Sequence, residues 1–207
     1  MTATLVVEFM HEINGRTADH DIHPVFLERW SPRAFTGEAM PQEDLLRLFE
    51  AARWTPSASN RQPWRFVYAH RGTEAFEAIL ATLDEGNRRW TPNASVLVVI
   101  VSKTHNRTAS GEIRPAYTHA FDTGAAWSAL ALQATFSGYH VHAMAGIDRD
   151  KAMAAAGVPE GYRVEAGLAI GKIAPRETLP DDLQAREVPS QRHPVEAFAF
   201  EGSFRPD

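Results

Sequence analysis

The sequence predicts an α+β domain, because patterns typical of buried strands and of long helices both occur in a chain of ordinary globular composition. Hydrophobic residues make up 44% of the 207 residues and charged residues 23%, which suits one well-packed domain spanning 1–207. The β-branched run SVLVVIVS at 95–102 predicts a central strand covered on both faces. The segment 119–138 is apolar nearly all round and rich in small residues, which predicts a buried helix packed closely against another helix.

The first elements are predicted from apolar spacing and from proline positions. Residues 1–23 carry little pattern and are expected to be partly mobile, whereas 25–30 has the spacing of a short helix. Pro41 begins a core-facing helix that Pro56 ends. The predicted inward face of that helix consists of Leu45, Leu46, Phe49 and Ala52.

A strand and a second amphipathic helix are predicted before the central strand. The segment RFVYAH at 65–70 is the strand, and Thr73 caps the helix, which should end near Gly86. Its apolar stripe consists of Phe76, Ile79, Leu80 and Leu83.

The segments after the central strand alternate between irregular and regular patterns. Residues 103–118 show no period and are expected to form a mobile loop. A strand is predicted at 142–147, a small helix between Asp148 and Gly157, and a last strand at 164–171. From Lys172 onward, prolines break any helix and three phenylalanines need cover, so this tail should not fold alone.

Charge and composition exclude several classes of function. A formal net charge of -5 gives no general attraction to nucleic acid or to an anionic membrane. The absence of cysteine excludes disulfides, thiolate nucleophiles, cysteine-ligated zinc and iron–sulfur clusters. No cationic leader precedes an apolar run, and no segment reaches the roughly 20 apolar residues of a membrane span, so a soluble cytoplasmic protein is expected.

Common catalytic and nucleotide-binding motifs have no support in the sequence. The patterns G-x-G-x-x-G, G-x-x-x-x-G-K-[ST] and G-x-S-x-G do not occur, and the nine histidines suggest no catalytic triad. His20 and His23 in HDIH could share a metal, but they lack an evident third ligand and the segment suits a solvated turn. We therefore expect no metal site.

Two polar segments are candidates for ligand binding. In RWSPRAF at 29–35, Arg29 and Arg33 flank Ser31, and two guanidinium groups with a hydroxyl suit a phosphate, although surface arginines would show the same pattern. In PSASNRQPW at 56–64, Pro63 should hold Gln62 extended. The hydroxyl and amide groups of this connector suit the polar edge of a flat cofactor, but clusters of serine, asparagine and proline usually form turns.

Together, R-x-S-x-R and P-S-x-x-N-x-Q-P-W resemble the motifs of the nitroreductase family over roughly 24–194. The resemblance implies a nitroreductase-like mixed β-sheet flanked by helices. It also implies an intertwined homodimer in which a C-terminal extension, 172–207, wraps the partner. The implied activity is hydride transfer from NADH or NADPH through bound FMN to nitroaromatics, quinones or similar flat acceptors.

The resemblance also assigns residues to the FMN site, with none named as catalytic. The phosphate contacts would be Arg29, the Trp30 backbone, Ser31, Arg33 and Arg192, although Ser190 stands where some members have a lysine. The other flavin contacts would be Pro56, Ser57, Ala58, Asn60, Asn87 and the backbone amides of Ala145 and Gly146.

Some roles and reactions stay open at the level of sequence. Tyr117 and Phe121 could contact substrate, with helix packing the favoured role of Phe121, and Asp122 either approaches the cofactor or begins its helix. Another reaction on the same scaffold is an alternative, namely reductive dehalogenation or flavin destruction. Flavin binding without turnover is a further alternative.

Overall fold

The computed structural model describes residues 12–206, in which four strands form the central sheet. In chain order the elements are β1 (Glu12–Ile13), β2 (Arg16–Thr17), α1 (Val25–Glu28), α2 (Gln42–Arg53), β3 (Trp64–His70), α3 (Glu74–Leu80), α4 (Glu85–Arg88), β4 (Val96–Lys103), β5 (His105–Arg107), β6 (Ile113–Pro115), α5 (His119–Phe136), β7 (His140–Met144), α6 (Arg149–Ala155), β8 (Tyr162–Gly171) and α7 (Asp181–Gln184).

The sheet has the order β3-β4-β8-β7, and each of its pairings is antiparallel. A mixed sheet, with parallel as well as antiparallel pairs, was expected, but within the described residues this sheet has antiparallel pairs alone. The predicted central strand is confirmed, since β4 has β3 on one side and β8 on the other.

Alternating residues of β4 divide the core into two halves. Leu97, Val99 and Val101 pack in one cluster that includes Phe76 of α3, and Val96, Val98 and Ile100 pack in the other. The second cluster contains Leu45 of α2 together with Leu130, Ala131 and Ala134 of α5. Because side chains on a strand alternate between faces, one apolar run supplies both halves.

The predicted inward face of α2 wrongly included Leu46 and omitted Leu48. Leu45, Leu48 and Ala52 are fully buried, whereas Leu46 is 50% exposed. The observed spacing of three and four residues follows the helical period, which carries position 46 to the outer face. Phe49 is partly buried and stacks on Phe66 at 5.3 Å between ring centroids.

The helix that begins at Thr73 ends earlier than predicted. The Thr73 hydroxyl accepts from the Phe76 amide at 3.2 Å, which confirms the cap, but α3 stops at Leu80 rather than near Gly86. The Asp84 carboxylate accepts from the Asn87 amide at 2.7 Å and so caps a separate helix, α4.

Residues 103–118 contain a hairpin where an irregular loop was expected. β5 and β6 pair antiparallel, with His105 opposite Pro115. The base of the hairpin is closed by the Ala116 amide, which donates to the Thr104 carbonyl at 2.8 Å. These strands could not be predicted from sequence pattern, because they are three residues long and lack apolar alternation.

The C-terminal region divides into a packed and an exposed part. Ala174, Leu179 and Leu183 are buried against this chain's own core, and α7 forms directly after Pro180, where proline is tolerated. The expectation that prolines would break any helix is therefore wrong here. Phe198 and Phe204 are 66% and 81% exposed. The expectation that this tail has apolar side chains without cover therefore holds for the part after residue 188.

Two expectations concern the ends of the chain and membranes. Residues 1–11 of the segment 1–23 lie outside the described residues, and 12–17 form the β1–β2 hairpin. Within 12–206, no helix combines the length and apolar character needed to span a membrane.

We predict that Gly171→Ala destabilises the fold. A Cβ at Gly171 would lie 2.9 Å from Phe35 Cδ1, and Phe35 is only 3% exposed, so the ring has little room to move. Such overpacking costs about 1–3 kcal/mol, which urea unfolding would measure.

Gly86→Ala, in α4, is the matched control, because the nearest atom to the added Cβ would be Asp84 Oδ1 at 3.6 Å, an ordinary contact distance. This variant should be as stable as the parent or slightly more stable. Equal stability of the two variants would contradict the predicted collision.

Candidate functional site

Five arginines converge on a cavity of about 230 Å³, formed where α1 ends and the C-terminal segment returns. Its lining also includes Trp30, Ser31, His142, Val188 and Ser190; the arginines are Arg16, Arg29, Arg33, Arg186 and Arg192. We call it the arginine cavity. It brings together five of the predicted site residues, namely Arg29, Trp30, Ser31, Arg33 and Arg192.

The end of α1 sets the direction of the first arginines. Arg29 follows the last helical residue and has an extended backbone, with ψ of 118°. The chain therefore leaves the helix, and the Arg29 Nη1 group lies 3.4 Å from the Ser31 hydroxyl, to which it donates.

A buried carboxylate, Glu187, holds the segment that carries Arg33. It accepts from the Arg33 amide at 2.8 and 3.0 Å and from the Ala34 amide at 2.9 Å. The Arg33 side chain lies 3.9 Å from this carboxylate and donates to the Arg186 carbonyl. Sequence analysis missed Glu187, because a glutamate in a proline-rich tail carries no local sign of such a role.

The arginine cavity concentrates positive charge. Burial lowers the pKa of Arg29, and the nearby charge of Arg192 lowers it further. Burial and then Arg186 lower the pKa of Arg33, and Glu187 offsets part of this effect. Since no carboxylate lines the cavity among the described residues, an anion with more than one negative charge is the ligand that would relieve the repulsion.

Two neutral histidines of β7 lie beside these arginines. Burial lowers the pKa of both His140 and His142 to about 4, so both are uncharged at neutral pH. His142 donates from Nδ1 to the Pro32 carbonyl at 2.8 Å and packs on Trp90 with 4.6 Å between ring centroids. The histidines therefore add no charge, and His142 fixes the turn between Ser31 and Arg33.

The connector 56–64 is a compact polar turn. Ser59, Asn60 and Gln62 have positive φ angles of 51°, 52° and 49°, so the predicted extended geometry of Gln62 is wrong. The Ser57 hydroxyl accepts from the Gln62 amide at 2.9 Å, and this bond stabilises the left-handed conformation over the extended one.

Asp122 anchors this connector. Its carboxylate is buried and accepts from the Ala58 amide at 3.2 Å and from the Thr118 hydroxyl at 2.9 Å. Asp122 thus joins α5 to the connector through Ala58. From the sequence, Asp122 was expected either to approach the cofactor or to begin its helix; it lies in the first turn of the helix and contacts a predicted cofactor-binding segment.

Within one chain, the connector does not line the arginine cavity. Pro56 lines a separate apolar cavity of about 410 Å³ between α2 and α5; its other lining residues are Ala51, Trp54, Thr55, Ala125, Ser128, Ala129 and Leu132. Ser57, Ala58 and Asn60 line neither cavity. The two motifs of the sequence therefore do not line a common cavity within the described chain.

Asn87 and Gly146 form a third group. The Gly146 carbonyl accepts from Asn87 Nδ2 at 3.1 Å and from the Asp84 amide at 3.0 Å. A Cβ at position 146 would collide with the Asp84 carboxylate, so the close approach requires glycine. Ala145 and Gly146 line a cavity of about 460 Å³ that also includes Asp84 and Arg88.

A hydrogen-bonded group missed by sequence analysis consists of Ser102, His119 and Glu165. The Ser102 hydroxyl lies 2.7 Å from His119 Nδ1 and 2.5 Å from Glu165 Oε1. Ser102 is fully buried and Arg163 engages the same carboxylate, so the group serves to fasten the first residue of α5 to the sheet.

The aromatic residues near the start of α5 are not packed against their own chain. Tyr117 is 91% exposed and Phe121 is 80% exposed. Packing of Phe121 inside the described chain is therefore excluded.

Curated relatives share parts of this chain. A Streptomyces coelicolor protein bearing the name NADH dehydrogenase/NAD(P)H nitroreductase is 36% identical over 76 residues, which is 37% of each chain. An uncharacterised 15.4 kDa protein of Mycolicibacterium smegmatis is 31% identical over 67% of this chain and 95% of its own length. The chain thus spans little more than a third of the first of these relatives.

Solved structures and a family model give broader matches. The crystal structure of an oxidoreductase containing FMN is 49% identical, covers 96% of this chain and 100% of its own, and has a TM-score of 0.93. A nitroreductase family protein from Clostridium novyi, 22% identical over 78% of this chain and 90% of its own, has a TM-score of 0.62 and supports the fold alone. The model of the nitroreductase family matches residues 27–172, most of the 207 residues, and this chain therefore belongs to the nitroreductase family.

Proposed function

We propose that this protein is an FMN-dependent oxidoreductase that passes hydride from NADH or NADPH to nitroaromatics, quinones or similar flat acceptors. The observation that carries the proposal is the arginine cavity, whose cations come from the β1–β2 hairpin, the RWSPRAF motif and the C-terminal segment. The FMN named in the 49% identical structure, and the NAD(P)H nitroreductase name of the Streptomyces relative, support the choice of cofactor and donor.

The arginine cavity suits the phosphate end of FMN. A phosphate monoester carries close to two negative charges at neutral pH, and guanidinium forks bind such oxygens well. Arg29, Arg33 and Arg192 would hold the phosphate, with Ser31 and the Trp30 backbone beside it. The volume of about 230 Å³ is small for a whole flavin, so the ring system would extend beyond this cavity.

A homodimer would bring the two separated motifs together. The surface around α2 and α5 exposes Leu46, Trp54, Phe121 and Phe136 at 50%, 74%, 80% and 59%. Exposed apolar area on this scale is typical of an interface. In our proposal, a second copy covers this surface, and its Pro56, Ser57, Ala58 and Asn60 complete the flavin site.

The C-terminal tail would take part in the same assembly. Residues 188–206, which include Arg192, are largely exposed on their own chain, and they carry the exposed Phe198 and Phe204. We assign this stretch, rather than the whole of 172–207, to contact with the partner.

FMN, when bound, supplies the hydride chemistry, and the protein positions it and controls access. Gly146 is held by Asp84 and Asn87, which fixes the Ala145–Gly146 backbone, and we assign its amides to the reactive edge of the ring. Asn87 then acts mainly through Gly146. His142 lacks charge at neutral pH, and we assign no general acid to the site.

The hairpin 105–115 gives no support to the alternative reactions on this scaffold. Those reactions would be favoured by an ordered polar lid that clamps a zwitterionic substrate. The hairpin is ordered and polar, but Arg107 donates to the Gly111 carbonyl and Arg114 pairs with Glu112. Its two arginines are thus engaged inside the hairpin, and the reductase remains the better proposal.

We predict that Arg33→Ala weakens FMN binding about ten- to a hundredfold, because one charge-assisted contact of roughly 1.5–3 kcal/mol is lost. Flavin fluorescence quenching would measure the dissociation constant. Arg47→Ala is the control, since Arg47 is an exposed arginine of α2 paired with Glu43 and Asp44. Parental affinity in Arg33→Ala would refute the phosphate assignment.

We predict that Ser128→Arg converts a dimer into a monomer that no longer retains FMN. Ser128 is exposed in the described chain, so the change should leave the protomer folded while placing a charge in the apolar surface between α2 and α5. Sedimentation velocity would give the mass, and absorbance the flavin content.

Ser110→Arg, an equally exposed change on the β5–β6 hairpin, should leave both mass and flavin content unaltered. A dimeric, flavin-bound Ser128→Arg protein would rule out this surface as the shared interface.

We predict ping-pong kinetics, because one flavin pocket would serve nucleotide and acceptor in turn. Reciprocal plots of initial rate at several acceptor concentrations should be parallel for NADH or NADPH. Intersecting lines would indicate a ternary complex and would eliminate the one-pocket mechanism.

A further inference from the structure

Arg16 joins its own hairpin to two other segments of the chain by donating to their backbone carbonyls. Its Nε donates to the Ser190 carbonyl at 3.0 Å, and its Nη1 donates to the carbonyls of Leu27 at 3.1 Å and Arg29 at 2.8 Å. The residue is only 6% exposed. One side chain of the β1–β2 hairpin therefore ties the end of α1 to the C-terminal segment.

The charge of Arg16 has no acidic partner among the described residues. No carboxylate of these residues forms an ion pair with it; Arg192 and Arg29 are the cations that act on it, and Asp19 lines the neighbouring cavity without pairing with it. Burial lowers the pKa of Arg16, and both neighbouring arginines lower it further. A buried cation beside two like charges is unfavourable unless an anion compensates it.

The side chain also lies at the boundary of two cavities. Arg16, Ser190 and Arg192 line both the arginine cavity and a neighbouring cavity of about 400 Å³. Its three hydrogen bonds occupy Nε and Nη1, so Nη2 has no bonded partner within residues 12–206. A guanidinium group has five N–H donors, so donors remain for an anion.

We propose that Arg16 is a positioning residue of the anion site, which binds a phosphate monoester. Its carbonyl bonds link Arg29 to the Ser190–Arg192 segment, both of which line the cavity, and its charge adds to theirs. The identification of that monoester as FMN rests on the proposed function. A purely structural arginine would stabilise the fold equally with and without an anion.

Arg16→Gln and Arg16→Lys test this role. Glutamine can donate two N–H groups to carbonyls but has no charge, whereas lysine keeps the charge and loses the planar fork. Arg176→Gln is the control, because Arg176 is an exposed arginine of the C-terminal region paired with Glu177 and outside both cavities.

The first measurement compares FMN with riboflavin, which lacks the phosphate, by fluorescence titration of the flavin-free protein. Arg16→Gln should weaken FMN at least about tenfold and riboflavin by less than about threefold. Arg16→Lys should keep most of the preference for FMN. Equal losses for the two flavins in either variant, or parental FMN binding in Arg16→Gln, would overturn the proposal.

The second measurement follows the thermal unfolding of flavin-free protein in sodium phosphate against sodium chloride of equal ionic strength. Phosphate should raise the Tm of the parent and of Arg176→Gln, and should raise that of Arg16→Gln much less. An equal rise in parent and Arg16→Gln, or none in the parent, would overturn the inference. A parent that responds to phosphate but binds no FMN would refute the proposed function and leave the role of Arg16 intact.

Discussion

The candidate site depends on the contact between the Glu187 carboxylate and the backbone amides of Arg33 and Ala34. Arginines alone would repel one another, and the chain must hold several of them around one small cavity. Glu187 is 3% exposed at its side chain and accepts hydrogen bonds from two consecutive amides. Because its hydrogen-bond donors belong to the backbone, the carboxylate fixes the path of the chain, and its contact with the Arg33 guanidinium is the longer one, at 3.9 Å.

Most of the fold could be predicted because its signals are local. The β4 run and the cap at Thr73 depend on residues within one element, and both were found where expected. The errors came from interactions beyond one element. The early end of α3 reflects Asp84, which caps a new helix. The inward face of α2 was wrong at Leu46 because Leu45 and Leu46 are both apolar, and the pattern of the helix alone does not tell which of the two faces the core.

The site could be predicted in part, and the missing part is long-range. Arg29 and Arg33 belong to one short motif, and the family resemblance added Arg192. Arg16 and Glu187 carry no such motif, and the contacts that tie them to the site span 174 positions from Arg16 to Ser190 and 154 from Glu187 to Arg33. The sequence also carries no sign that Ser57 and Asn60 are outside the lining of the arginine cavity within one chain, because spacing along a chain does not report which residues line a common cavity.

The three left-handed residues of the connector affect how any ligand would bind there. Ser59, Asn60 and Gln62 adopt a conformation that residues other than glycine rarely take, and the Ser57 hydroxyl and Asp122 hold them in it. The cost of ordering this loop is therefore met when the protein folds, before any ligand arrives. Binding at the connector would then require little backbone rearrangement, so little of the interaction energy would be lost to conformational entropy.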